Sequence, residues 1–168
     1  GTRMNAIEEF TRRIIESPDQ NRLVNGVIEI PVVFNVLYKT TAQNVSQAQL
    51  QSQIDVLNED FAATNADYNL TSTYNSVKSG NIAVRFVRKQ TNTTSWSTNN
   101  AMKKSAKGIA PTSPTTKLNI WVCNMGGGIL GYAQFPGGSS ATDGVVIDNN
   151  AMGKTGTATA PYGLGRTA

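Results

Sequence analysis

Histidine is absent from these 168 residues, and cysteine occurs once. Each absence closes off chemistry. Without imidazole there is no Ser–His or Cys–His pair for nucleophilic catalysis and no histidine-built zinc site. One cysteine cannot make an internal disulfide framework. No stretch approaches the roughly 18 consecutive apolar residues of a membrane-crossing helix, so a membrane partner is not expected. The opening, GTRMNAIEEF, is polar and charged, unlike the apolar core of a secretory signal peptide. Its leading Gly in place of Met is what a processed end would show. The chain itself is therefore expected to hold no catalytic residue, no metal site and no cofactor.

What is present suits a folded domain. Hydrophobic residues make up 39% and charged residues 15%, a globular balance in a chain long enough for one real core. The net charge of +4 raises the question of nucleic acid. The basic residues are dispersed, however. Their tightest cluster, Lys103, Lys104 and Lys107, comes with no nucleic-acid-binding signature and reads as a solvated helix face. No nucleic-acid partner is expected. Cys123 sits in the apolar run LNIWVCN and reads as a buried small hydrophobe.

Hydrophobic periodicity gives the elements. Residues 5–16 have helical spacing, ended by Ser17-Pro18-Asp19. Residues 27–39, VIEIPVVFNVLYK, are β-branched and apolar on both faces, as in a strand covered on both sides. Pro31 there predicts a bulge or an entry point. In 44–64, Ser46 and Gln49 have capping-box spacing. Leu50, Ile54, Leu57 and Phe61 form a stripe that would pack on a sheet, leaving Gln, Ser and Asp to solvent. Residues 81–89 read as a second strand, 100–108 as a short helix ending at Gly108, and 117–125 as another buried strand. Residues 126–138, GGGILGYAQFPGG, carry glycines at both ends and Pro136, the look of an edge strand. Residues 143–149 read as a short buried strand. A strand–helix–strand unit of this size favours parallel pairing. The 126–138 segment follows its predecessor too closely for that and should run antiparallel.

Several motifs look chemical and are better read as structure. NMGGGILG lacks the Lys-Ser/Thr and the helix of a phosphate loop, and the Gly-Lys-Thr at 153–155 lacks the glycine frame before it. Asp143 and Asp148 bracket a strand without a third oxygen ligand, which suits turn or capping roles. Asn44, Asn69 and Asn92 open glycosylation sequons that matter only in a eukaryotic secretory pathway.

Four blocks then stand in a suggestive order: IPVVFNVLY, QIDVLNEDFAATNADY, LNIWVCNMGGGILGYAQFPG, and DGVVIDN with TGTATAPYGLGRTA. Together, from about residue 27 onward, they resemble the pappalysin family of metzincin zinc metallopeptidases. In that family the first strand often reads PVVFHVLY, where Asn35 stands here; that His is not a zinc ligand. There, the GRTA run leads into a zinc helix, H-E-x-x-H-x-x-G-x-x-H. The resemblance implies an α/β fold: a twisted, mostly parallel five-stranded sheet with one antiparallel edge strand and a long backing helix. It implies that residues 27–168 are the N-terminal subdomain of a catalytic domain, incomplete at its C-terminus. Residues 1–26 would be a helical segment or the junction with a pro-segment. It further implies a secreted endopeptidase whose zinc and C-terminal subdomain lie outside this sequence, acting on an extended peptide or protein. Its edge strand would pair with substrate, and Leu130, Gly131, Tyr132 and Ala133 are the expected contacts, with Gly131 letting the substrate backbone approach. A stand-alone peptide-binding module and an unrelated α/β structural domain are the competing readings.

Overall fold

The computed structural model describes residues 5, 8–9, 12, 23–24, 27–62, 64–65 and 84–168. Of the expected N-terminal helix, Asn5, Glu8, Glu9 and Arg12 are described; they are helical and exposed. The rest of that helix, and most of the expected 65–80 loop, lie outside the described residues.

β1 (Leu23–Val24) and β2 (Val27–Ile28) form a small antiparallel pair. The main sheet contains β3 (Val32–Tyr38), β4 (Val84–Gln90), β5 (Leu118–Cys123), β6 (Gly131–Ala133) and β7 (Val145–Asp148), in the order β4-β3-β5-β7-β6. All neighbours run parallel except β6, which lies antiparallel to β7 at the edge. Both the mostly parallel sheet and its single antiparallel edge are as the sequence predicts.

The expected 27–39 strand is two pieces. Pro31 has no N–H to offer and stands between β2 and β3, while its carbonyl accepts the Leu118 N–H at 2.9 Å. From there β3 is buried along almost its whole length. Val32, Phe34 and Val36 join Ile120, Val122 and Ile147 beneath helix α1 (Gln47–Phe61), which contributes Leu50 and Ile54. On the opposite face Leu37, Trp121, Cys123 and Val146 pack with Trp96, Met102 and Met125. Alternating side chains thus feed two cores from one sheet, as a sheet covered on both faces requires. Asn35 lies on this second face, fully buried, its Nδ2 donating to Asn119 Oδ1 at 3.3 Å.

Helix α1 departs from expectation in three ways. Ser46 is the N-cap and its hydroxyl accepts the Gln49 N–H at 3.1 Å, but the Gln49 side chain does not complete a capping box. Phe61, the last residue of the expected stripe, is half exposed, and Val56 is buried in its stead. Gln49 and Gln53 are fully buried rather than solvated. The reason is the irregular 149–165 segment, whose backbone polar groups must be satisfied somewhere. Gln49 Nε2 lies 2.9 Å from Met152 O, 3.2 Å from Asn149 O and 3.0 Å from Thr157 Oγ1, and its Oε1 accepts the Thr157 N–H at 3.1 Å. Gln53 donates to Gly165 O at 2.6 Å and accepts the Gly153 N–H at 3.0 Å. Gly165 is needed where the tail crosses α1: its φ is +73° and an added Cβ would stand 2.7 Å from Val56 Cγ2. Arg166–Ala168 carry no regular structure. Arg166 pairs with Asp60 at 3.4 Å.

The candidate substrate-binding edge

The expected 126–138 strand is regular only at Gly131–Ala133. Glycines 127, 128 and 137, in its flanks, take positive φ. Register pairs Gly131 with Ile147, Tyr132 with Val146 and Ala133 with Val145. The Asp148 N–H donates to Leu130 O at 2.8 Å. Antiparallel ladders alternate bonded and non-bonded pairs. Leu130 and Tyr132 therefore aim their backbone groups at β7, and Gly131 and Ala133 aim theirs outward, along the open edge.

The four expected contact residues thus divide. Leu130 packs its side chain against the core beneath α1. Tyr132 reaches into the second core, its hydroxyl 2.9 Å from Asn100 Oδ1 and 3.2 Å from Met102 Sδ. Ala133 is exposed. Gly131 has a structural reason of its own: an added Cβ would lie 2.6 Å from Val146 O. The close backbone approach that the structure shows at Gly131 is that of β7.

The segment expected to be a 100–108 helix is a single 3-10 turn, Ala101–Lys103, followed by an irregular return to Gly108. Asn100, at φ +61°, starts it. Gly108 packs on the Met102 carbonyl so closely that a Cβ there would overlap it. This tight turn reverses the expectation for Lys103: it is buried at 2% exposure, while Lys104 and Lys107 are solvated. Its Nζ donates to Thr142 O at 2.6 Å and approaches Gly144 O at 3.4 Å. The same ammonium lies 5.2 Å from the Trp121 ring centroid and 5.3 Å from that of Tyr132, within cation–π range. Burial lowers its pKa below the ordinary lysine value, and the charge of Asp143 opposes that. The sequence offered no sign of this, because the cage is assembled from Trp121 and Tyr132.

Tyr132 and Cys123 move the other way. Burial first, with a smaller contribution from Cys123 and against one from Asn100, pushes the phenol up to about 12. Burial and then the Asp148 charge push the Cys123 thiol up to about 12. With its side chain fully enclosed, Cys123 is the inert hydrophobe the strand pattern implies. Asp148 takes a turn role: its Oδ2 accepts the Met125 N–H at 2.7 Å and its Oδ1 the Asn150 N–H at 2.8 Å. Among the described residues no group of three or more His, Cys, Asp or Glu could hold a metal ion. The residues present, without a single imidazole, do not fit a catalytic zinc.

A five-stranded, mostly parallel sheet backed by one main helix and closed by an antiparallel edge pair is the N-terminal subdomain fold of the metzincins. Its structural neighbours are pappalysin-like metzincins. No family model matches it. It is similar to mirolysin solved in complex with a compound (41% identity, TM-score 0.75, 84% of this chain and 60% of that one). It is also similar to mature mirolysin of Tannerella forsythia in complex with a cleaved peptide (38%, TM-score 0.74, 86% and 61%). A promirolysin variant from the same organism aligns over 93% of this chain and 59% of its own, at 38% identity and TM-score 0.76. Extracellular metalloprotease 1 of Coccidioides posadasii (strain C735) is 29% identical over 156 residues, covering 84% of this chain. The chain spans about 60% of the solved structures and 48% of that curated relative.

Proposed function

We propose that residues 27–168 form the N-terminal subdomain of a secreted zinc-dependent endopeptidase, with 1–26 as a helical segment or the junction with a pro-segment. In this reading β6 is the rail on which an extended peptide or protein substrate lies. The histidines and the zinc belong to a segment and a second subdomain outside this sequence. Zinc, when bound there, would activate the attacking water. This chain's own part is to bind and orient. The observation that carries the proposal is the outward-facing backbone of Gly131 and Ala133 on an edge strand. Unpaired N–H and C=O groups there can add a peptide as a further strand, whatever its side chains. Likeness at 38% identity to mature mirolysin solved with a cleaved peptide supports it. Secretion is supported by the extracellular relative.

Amide exchange tests it. An extended peptide titrated onto the chain should protect the Gly131 and Ala133 N–H groups while leaving β3 unchanged. Equal exchange with and without peptide would sink the rail. A second reading, a peptide-binding module that never cuts, draws on the absence of histidine. Both readings expect peptide binding and no cleavage by these 168 residues, with or without added zinc. The native reading frame separates them: paired histidines around a glutamate shortly after Ala168 decide for the peptidase.

A further inference from the structure

β6 is three residues long, and so short a strand is weakly held by its ladder alone. Its seating comes from the side. Tyr132 is the contact, gripped at its hydroxyl by Asn100 and Met102 and at its ring face by the Lys103 ammonium. The same ammonium donates to Thr142 O and approaches Gly144 O, in the turn that leads into β7. It also lies over Trp121, in the middle of β5. One cation thus touches β5, the ring of β6 and the entry to β7, from the face opposite α1.

We infer that Lys103 is the positioning residue of the substrate rail: its ammonium, caged between Trp121 and Tyr132 and bonded to the 142–144 backbone, fixes β6 against β7 and so sets where Gly131 and Ala133 present their outward groups. The inference rests on the reading of β6 as a peptide rail for its functional consequence, but not for its structural half. The charged groups near the cage are Asp143, which precedes β7, and the ionisable Tyr132 and Cys123. Lys104 and Lys107, on the turn itself, are exposed and outside the cage.

The test uses the 168-residue chain and its Lys103→Met variant, which keeps length and apolar bulk but loses the charge and the donors. Amide exchange is read at the three N–H groups that tie β6 and β7 together, those of Tyr132, Val146 and Asp148. In Lys103→Met these should exchange roughly tenfold faster or more, since a caged cation–π contact and a charge-assisted hydrogen bond are lost together. Amides of β3 should hold their protection. Removing a buried charge relieves its desolvation, so a general loss of stability is not expected. Unchanged ladder exchange, or loss spread equally through β3, overturns the inference. Should Lys103→Met not fold, Tyr132→Phe carries the test: the ring stays over the ammonium, the hydroxyl grip goes, and ladder exchange should rise by a smaller factor. No rise there counts against the grip.

A second arm measures polarisation of a fluorescein-labelled octapeptide of Ala, Ser and Arg. Binding to the parent chain, weakened in Lys103→Met by about the factor seen in ladder exchange, supports the functional half. Equal binding by both refutes it. No binding to the parent removes the rail reading instead, and the exchange data still decide what Lys103 does.

Discussion

Replacing Gln49 by Leu probes how the 149–165 segment is held. Leu nearly matches the volume of Gln, so little cavity is made and the effect isolates hydrogen bonding. In the folded chain the Gln49 amide serves Met152 O, Asn149 O and Thr157 Oγ1 through Nε2, and the Thr157 N–H through Oε1. Asn149 O keeps a second donor, the Thr157 hydroxyl at 2.7 Å. The Met152 carbonyl and the Thr157 N–H lose the partner the structure gives them. A buried polar group left without a partner costs roughly 1–3 kcal/mol, so two of them place Gln49→Leu about 3 kcal/mol below the parent. For a chain of this size that corresponds to a melting temperature lower by about 6–12 °C. Urea denaturation followed by tryptophan emission measures it, because Trp96 and Trp121 are both buried. Gln49→Glu should do worse at neutral pH, since a carboxylate would face two carbonyls. Its protonated form can donate, so that variant should recover stability as pH falls. A loss below about 1 kcal/mol for Gln49→Leu would refute the clamp, because it would mean the loop finds other donors at no cost.

Gly165→Ala should cost about 2 kcal/mol through its positive φ and its contact with Val56, and adding Val56→Ala should return part of that in the same denaturation assay. Cys123 should resist thiol reagents in the folded chain, its reaction rate following global unfolding rather than thiolate chemistry, as stopped denaturant series would show. Its thiol is pushed from an ordinary 9.0 up to about 12. The unfolded chain therefore gives up this proton first as pH rises, and the stability it contributes is present below pH 9 and lost on approach to pH 12. Cys123→Ala should flatten that alkaline loss. Lys103 works in the opposite sense: its lowered pKa means the unfolded chain holds the extra proton up to the ordinary 10.5, so its contribution to stability rises with pH until that point, and Lys103→Met should remove the rise in parallel urea curves.

The sheet was legible because its signal is local. β3, β5 and β7 are runs of β-branched and aromatic residues, and alternation along them feeds two cores. Ser46 announces the start of α1 in the same local way. The antiparallel edge could be argued from chain length, since too few residues join β5 to β6 for a parallel return. What escaped the sequence is polar and long-range. A periodic reading sends glutamine to solvent, and it cannot know that the backbone of residues 149–165, a hundred positions later, needs donors and acceptors from Gln49 and Gln53. The glycines at 153, 156 and 165 were the available hint, since Cβ atoms there would meet Gln49 or Val56. Lys103 escaped for a related reason: its neighbours Lys104 and Lys107 obey the charge-run rule, and only the fold brings Trp121 and Tyr132 around the one that does not. The shortness of β6 follows from glycine and proline on its flanks, which mark an edge but do not say where regular pairing stops.

The order of strands carries a consequence for how the molecule assembles. β6 comes before β7 in the chain yet lies outside it in the sheet. β6 therefore precedes in the chain the strand that separates it from β5, and the flank of β5 stays open until Val145–Asp148 takes its place between them. The edge strand thus reaches its seat only after the strand that follows it in the chain is in place.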